Sequence, residues 1–137
     1  MKMKKLIISC LIVFTGINVS AQTSNDFFKH TDELLRMYVS DGEVDYEGLK
    51  DNSSLAELVK NISSFDLSKQ SSIEKKAFYI NAYNLLVINA IVKDYPVNSP
   101  MDIPSFFDGV KHQIAGEKRT LDEIENKILR PTYKDPR

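Results

Sequence analysis

The densest apolar stretch of the chain runs from Lys76 to Val92. Of the sixteen residues from Ala77 onward, thirteen are apolar or aromatic and the other three are asparagines. An apolar pattern this broad is typical of a helix that is covered on nearly every side. We therefore expect the rest of the domain to pack around this central helix.

Both ends of the central helix are marked in the sequence. Ser71 and Glu74 stand three residues apart, which is the spacing of a capping box, and this places the helix start near Ser72. Pro96 has no amide hydrogen and restricts the residue before it, so the helix should end near Lys93.

Two amphipathic helices are predicted before the central one. The first should be capped by Ser24 or Asn25 and end in the turn Ser40-Asp41-Gly42. The alternating segment Glu43–Tyr46 that follows predicts either a brief strand or an extended lead into the second helix. The apolar positions at helical spacing are Phe27, Phe28, Thr31, Leu34, Leu35, Tyr38 and Val39 in the first helix, and Leu55, Leu58, Val59 and Ile62 in the second.

The end of the chain predicts a hairpin and a last helix. Alternation from Val110 to Ile114, followed by a turn, indicates a hairpin over residues 110–119. Thr120 and Glu123 form a second capping-box pattern, and the helix that they open should be closed by Pro131. The predicted fold class is α+β, with amphipathic helices around a central buried helix and a small antiparallel hairpin.

The first 21 residues have the pattern of a secretory signal peptide. Met1–Lys5 carries three lysines, Leu6–Ile17 is apolar, and Val19-Ser20-Ala21 is a small-residue cleavage signal. An uncleaved membrane anchor needs about 20 apolar residues, more than this run provides. The segment ending at Cys10 resembles a lipoprotein box, which is a less favoured alternative. We expect export to the periplasm or the extracellular space, and a single domain over residues 22–137.

Cleavage changes the charge and the cysteine count. It removes three of the 18 basic residues and none of the 19 acidic ones, leaving 15 against 19 and a net charge of −4. This balance argues against a nucleic-acid or anionic-membrane partner. No stable membrane insertion is expected after signal cleavage. The only cysteine, Cys10, leaves with the signal, so no disulfide, thiolate metal site or cysteine nucleophile is expected. No cofactor is predicted, and the partner is unknown.

Five residues are candidates for a cleft wall. Asn81 and Asn84 share a helix face, and because a buried amide without a partner costs about 1 to 3 kcal/mol, both are expected to be hydrogen-bonded. They either fasten neighbouring loop backbone or line a substrate cleft with Tyr83. Asp45 and Tyr46 follow a turn, where they either stabilise that turn or contribute to the cleft.

The other titratable residues favour structural roles. His112 shares a strand face with Val110 and Ile114 and is expected to be packed and hydrogen-bonded rather than to act as a base. Acidic residues 122, 123 and 125 fall in the first turn of a helix, where the dipole favours them. Arg130 and Arg137 are expected to form salt bridges rather than an anion site. His30 is expected at the surface, and no set of ligands indicates a metal.

Four short segments of the mature chain carry a family pattern. They are Val44-Asp45-Tyr46 followed by Leu49; Phe78-Tyr79-Ile80-Asn81-Ala82-Tyr83-Asn84; Leu121-Asp122-Glu123-Ile124-Glu125 followed by Ile128-Leu129-Arg130-Pro131; and Asp135-Pro136-Arg137. In this order and spacing they resemble the bacterial and plant family known as domain of unknown function 547. The resemblance covers most of the mature chain.

The resemblance implies a link to the papain and transglutaminase class of cysteine hydrolases, which act on amide or ester bonds through a thiolate and a histidine base. Family members continue past the Asp-Pro-Arg triplet into a histidine-containing strand and a cysteine-bearing segment, whereas this chain stops at Arg137. Two further departures are Tyr79 in place of the usual tryptophan and Asn126 where histidine is often found. The resemblance therefore implies a truncated, incomplete domain without its nucleophile.

Three functional hypotheses follow. The first is an exported domain whose complete relatives are hydrolases of the cysteine type. The second is a non-catalytic interaction domain of the periplasm or cell surface. The third is a truncated product, a fragment or a frameshift, without independent function. The first and third agree with a physical observation, since a lone hairpin and an all-round apolar helix both require further neighbours.

Overall fold

The structure is a computed structural model that describes residues 19–134, with side chains from residue 24 onward. Within these residues helices are the main elements, and four short strands form two separate antiparallel hairpins. This arrangement confirms the α+β prediction. The elements are α1 (Val19–Tyr38), β1 (Val39–Ser40), β2 (Glu43–Val44), α2 (Ser53–Ser64), α3 (Ser72–Asp94), a 3₁₀ turn (Pro100–Asp102), β3 (His112–Ile114), β4 (Glu117–Arg119), α4 (Leu121–Glu123), a π-helical turn (Ile124–Leu129) and α5 (Arg130–Tyr133).

Helix α3 is the centre of the core, as the apolar stretch predicts. The capping box of Ser71 and Glu74 is present, and the helix ends at Asp94, one residue past the expected end. No residue from Lys75 to Val92 is fully exposed, but only one face is fully buried and the rest is half-covered. The prediction of burial on nearly every side is thus met only in part. The buried residues of α3 are Phe78, Ala82, Leu85, Leu86, Ile88 and Ile91.

Helix α1 begins earlier than the sequence indicates. It starts at Val19, so Ser24 and Asn25 lie inside the helix rather than at its cap. The capping prediction was wrong because residues 19–23 contain neither proline nor glycine, and nothing in them prevents helical dihedrals. The predicted signal peptide and Cys10 lie outside the described residues, apart from the start of this helix.

Two-residue turns close both hairpins. Asp41 and Gly42 have φ values of 52° and 82°, and Ala115 and Gly116 have 46° and 83°, which are the left-handed conformations that a tight hairpin turn requires. The predicted second hairpin is confirmed, but it spans residues 112–119, since 110 and 111 precede β3. Of the two alternatives for Glu43–Tyr46, the structure has the brief strand, β2. Its partner β1 was not predicted, because Val39 continues the apolar spacing of α1 and Ser40 belongs to the predicted turn.

The tip of the second hairpin fastens the end of α2. The backbone N–H groups of Ala115 and Gly116 donate to the carbonyl oxygens of Ile62 and Ser63 at 2.8 and 2.9 Å. These are carbonyls of the last helical turn, which have no partner within the helix. The second hairpin therefore rests on α2, while the first remains beside α1 and α3.

The last helix passes through Pro131 instead of stopping before it. The capping box of Thr120 and Glu123 is present, but the π-helical turn intervenes and the N–H of Arg130 donates to the carbonyl of Glu125. Pro131 then lies in the first turn of α5, where its missing N–H has little cost. The prediction that Pro131 closes the helix was wrong for this reason.

Within residues 19–134, no helix combines the length and the apolar composition that a bilayer span requires.

Candidate functional site

An apolar groove lies between the end of α1, the first hairpin and α3. It encloses about 300 Å³. We call it the α1–α3 groove. Its wall consists of five aliphatic residues, two tyrosines and one asparagine: Leu35, Val39, Val44, Val87, Ile88, Tyr46, Tyr83 and Asn84.

The wall on α3 follows from helical spacing. Tyr83 and Val87 are four residues apart, as are Asn84 and Ile88, so the four side chains form adjacent rows on one surface of the helix. Turn Asp41-Gly42 folds Val44 opposite Val39 in the antiparallel register, which brings both valines to the same side of the hairpin. The groove is therefore assembled from one helix face and one hairpin face.

The amide of Asn84 is a polar group of the groove that has no partner in the part of the chain that the structure describes. Asn84 and Asn81 are both half-buried, and neither side chain makes a hydrogen bond to another residue in the described part of the chain. The expected hydrogen bonds of the two amides are therefore not present among the described residues, and both side chains are partly exposed on α3. Asn84 lines the groove, whereas Asn81 does not.

Tyr83 connects the groove to the last helix. Its hydroxyl donates to Oε2 of Glu125 at 3.3 Å, and Oε1 of the same carboxylate accepts from Nη2 of Arg130 at 2.6 Å. Glu125 lies in the π-helical turn, and such turns are frequent at functional sites. The predicted salt bridge of Arg130 is confirmed. The salt bridge predicted for Arg137 cannot be compared, because Arg137 lies outside the described residues.

Asp45 and Tyr46 have separate roles. Oδ1 of Asp45 accepts from the N–H of Gly48 at 2.8 Å, so this exposed residue stabilises its turn and does not line the groove. Tyr46 does line it, with its ring centroid 6.1 Å from that of Tyr95, and partial burial raises the pKa of its phenol. Of the five predicted cleft residues, the structure therefore brings Tyr46, Tyr83 and Asn84 together.

The histidines do not belong to the groove. His112 is half-buried, its Nε2 atom has no partner among the described residues, and burial together with the charge of Lys93 lowers its pKa. The partial burial agrees with the packed position expected for His112, but the hydrogen bond expected of it is not made by Nε2 within the described residues. His30 is exposed on α1. Within residues 19–134, no three His, Cys, Asp or Glu side chains are grouped so as to hold a metal ion.

The sequence did not reveal the aliphatic wall or Glu125. The helical spacing of Leu35 and Val39, which repeats that of Tyr83 and Val87, is also typical of ordinary amphipathic helices. It would have indicated a groove only if the hairpin between them had been known. Glu125 was attributed to the helix dipole, because the π-helical turn that directs it toward Tyr83 has no clear sequence pattern.

A family model described as a protein of unknown function, DUF547, matches residues 67–137, slightly more than half of the chain. The chain belongs to this family. The DUF547 match begins before α3 and continues through the last helix, so it includes Tyr83, Asn84 and Glu125 but not Tyr46. No curated protein and no solved structure matched the chain.

Proposed function

We propose that this DUF547 protein is an exported, non-catalytic binding domain, and that the α1–α3 groove holds an uncharged apolar group of its ligand. The observation that carries the proposal is the composition of the groove wall: seven apolar or aromatic residues and one asparagine, Asn84, whose amide has no partner among the described residues. Pockets of this kind, apolar with a few orienting polar groups, are typical of ligand sites.

The residues of the groove support binding rather than catalysis. A cysteine-hydrolase reaction, which the family resemblance implies, requires a thiolate and a base within hydrogen-bonding distance of each other. The one cysteine of the sequence is Cys10, inside the predicted signal peptide. We therefore expect no thiol-dependent hydrolysis by the mature chain; hydrolysis that a cysteine alkylator abolishes would contradict this.

Export is supported by the pattern of residues 1–21, with its lysines, apolar run and cleavage signal. Cell fractionation and N-terminal sequencing of the native protein test it. The proposal expects a protein outside the cytoplasm that begins at Gln22. A cytoplasmic protein that keeps Met1, or a lipid-modified one that begins at Cys10, would contradict it.

Binding in the groove can be tested with 3-methylbutanol, a small uncharged apolar probe. In an NMR titration we expect saturable shifts at Leu35, Val44 and Val87, because these side chains form the wall. Val87→Lys places a charge in the groove and should abolish the shifts. Val92→Lys is the matched control, since Val92 is an equally half-buried valine of α3 outside the groove.

Retained shifts in the Val87→Lys variant, or equal loss in both variants, would contradict a site in the groove. Circular dichroism of each variant establishes that the helices are intact.

A further inference from the structure

We propose that the occupant of the α1–α3 groove is an extended segment of a polypeptide partner, which inserts one uncharged apolar side chain and pairs its flanking backbone amides with Asn84 and with the free edge of β2. This inference rests on the proposed function, because it names the ligand of the same groove.

The charge of the groove selects the kind of ligand. None of the described residues that line it is acidic or basic. A free amino acid or a fatty acid would bring an ionised group to an apolar wall, where no opposite charge compensates its loss of water. A residue within a polypeptide has neither ionised terminus. The groove therefore favours an internal apolar residue over a small charged metabolite.

The Asn84 amide matches the hydrogen-bonding groups of a peptide unit. A primary amide offers both a carbonyl acceptor and N–H donors, and a backbone peptide unit offers the complementary donor and acceptor. Asn84 makes no hydrogen bond to another described residue, so both functions remain open to a ligand. The aliphatic residues beside it on α3, Val87 and Ile88, would contact the inserted side chain.

The edge of β2 supplies a second contact with backbone. The N–H of Asp45 donates to the carbonyl of Tyr38 at 2.8 Å, so these residues form a hydrogen-bonded pair, and the adjacent pair Val39–Val44 is of the alternate kind, with its N–H and C=O groups pointing outward. The Val44 carbonyl accepts from Tyr46, while the Val44 N–H has no backbone partner among the described residues.

An added strand therefore has a place to bind. The first hairpin has only two strands, and a two-stranded sheet is marginal without a third strand or other support. Peptides commonly bind by adding a strand to such an edge. Backbone hydrogen bonds then provide affinity, and a pocket that accepts one side chain provides specificity. The groove volume, about 300 Å³, is at the lower end of ligand pockets, which suits one side chain with its peptide units.

The experiment is an NMR titration of the protein with a five-residue peptide that has a central leucine and is blocked by acetyl and amide groups. We expect saturable binding, tighter than that of 3-methylbutanol, with slower hydrogen exchange at the Val44 amide. Asn84→Ala should weaken peptide binding about tenfold, the order expected when one hydrogen-bonding amide is lost. Asn89→Ala, which changes a half-buried asparagine of α3 outside the groove, should leave it unchanged.

A second probe avoids reliance on variants that fail to fold. In a depsipeptide, an ester replaces the peptide unit that follows leucine, and we expect it to bind the unaltered protein more weakly than the parent peptide. A peptide that binds no tighter than 3-methylbutanol, or whose shifts avoid Val44 and Asn84, overturns the inference while groove binding stands. If neither probe produces saturable shifts in the groove, the proposed function fails as well.

Discussion

Phe78 is the residue at which three helical segments meet, and its removal should destabilise the whole domain. Its side chain is 0% exposed. Its ring centroid lies 4.2 Å from that of Phe65 in a stacked arrangement, 5.6 Å from Phe27 and 5.4 Å from Tyr79. Phe65 follows α2 and Phe27 belongs to α1, so Phe78 joins α3 to both.

The expected cost follows from these contacts. Truncation of a buried phenylalanine to alanine costs about 3 to 5 kcal/mol, and aromatic pairs add about 0.5 to 1.5 kcal/mol each beyond their buried area. The truncation range already includes the loss of such ring contacts, so the two ranges are not summed, and we expect Phe78→Ala to reduce the free energy of unfolding by about 4 to 5 kcal/mol. Phe78→Leu keeps much of the volume and should cost about 1 to 2 kcal/mol.

Urea denaturation followed by circular dichroism measures both changes. Ile73→Ala is the control, because Ile73 lies on the same helix with 82% of its surface exposed, and its effect should stay within about 0.5 kcal/mol. A loss below about 1.5 kcal/mol for Phe78→Ala would refute the packing of α1 and α2 on α3 around this ring. If the alanine variant does not fold, the free energy of unfolding of Phe78→Leu is the test, and a loss no larger than that of Ile73→Ala would refute the packing.

Three other substitutions test separate features. Thr120→Ala removes the hydroxyl that accepts from the Glu123 N–H at 3.1 Å and should cost about 1 kcal/mol in urea denaturation; Thr120→Ser should retain most of this, and equal losses would contradict a capping role. Asn81→Ala should change the free energy of unfolding by less than about 0.5 kcal/mol, because the half-buried amide has no partner among the described residues. The sequence alone predicts a buried hydrogen bond for this amide and therefore a loss of about 1 to 3 kcal/mol. His112 has a pKa lowered by burial and by Lys93, so the unfolded state takes up its proton first and stability should fall as the pH drops below about 6.5. His112→Gln should flatten the urea midpoint between about pH 7 and pH 5.5, and an unchanged slope would show that another group is responsible.

The acidic residues with lowered pKa values affect stability in a different pH range from His112. The pKa values of Asp66, Glu74 and Glu123 are lowered, in the first two by hydrogen bonds from Ser68 and Ser71 and in the last by a hydrogen bond from Lys127. A carboxylate with a lowered pKa contributes stability that is lost only as the pH falls below its unfolded value, about 4. That range lies below the one in which His112 titrates.

Features that depend on neighbouring residues were predictable from the sequence. The capping boxes at Ser71 and Thr120 need only a hydroxyl and a glutamate three residues apart, and the second hairpin needs only alternation and a turn. The predictions that were wrong concern helix ends whose position depends on features without a local sequence pattern. Pro131 is accommodated by a π-helical turn that has no recognisable pattern, and α1 extends beyond the capping residues assigned to it.

The groove was only partly predictable for a related reason. A helix face indicates Asn84 with Tyr83 close by, and a turn indicates Tyr46. Their association depends on β1, which the sequence does not indicate, because Val39 continues the apolar spacing of α1 and Ser40 belongs to the predicted turn. Asn81 and Asn84 are three residues apart, and the sequence treats them alike. Only the position of the hairpin places one of them in the groove and leaves the other outside it.

Intermolecular nuclear Overhauser effects test groove binding most directly. In a sample of the protein with the blocked leucine peptide, cross-peaks should connect the leucine methyl groups to the methyl groups of Val44, Val87 and Ile88, and they should vanish in Val87→Lys but persist in Val92→Lys. Cross-peaks from the leucine methyl groups only to exposed apolar residues such as Met37, Ile73 or Met101 would contradict the assignment of the groove as the binding site.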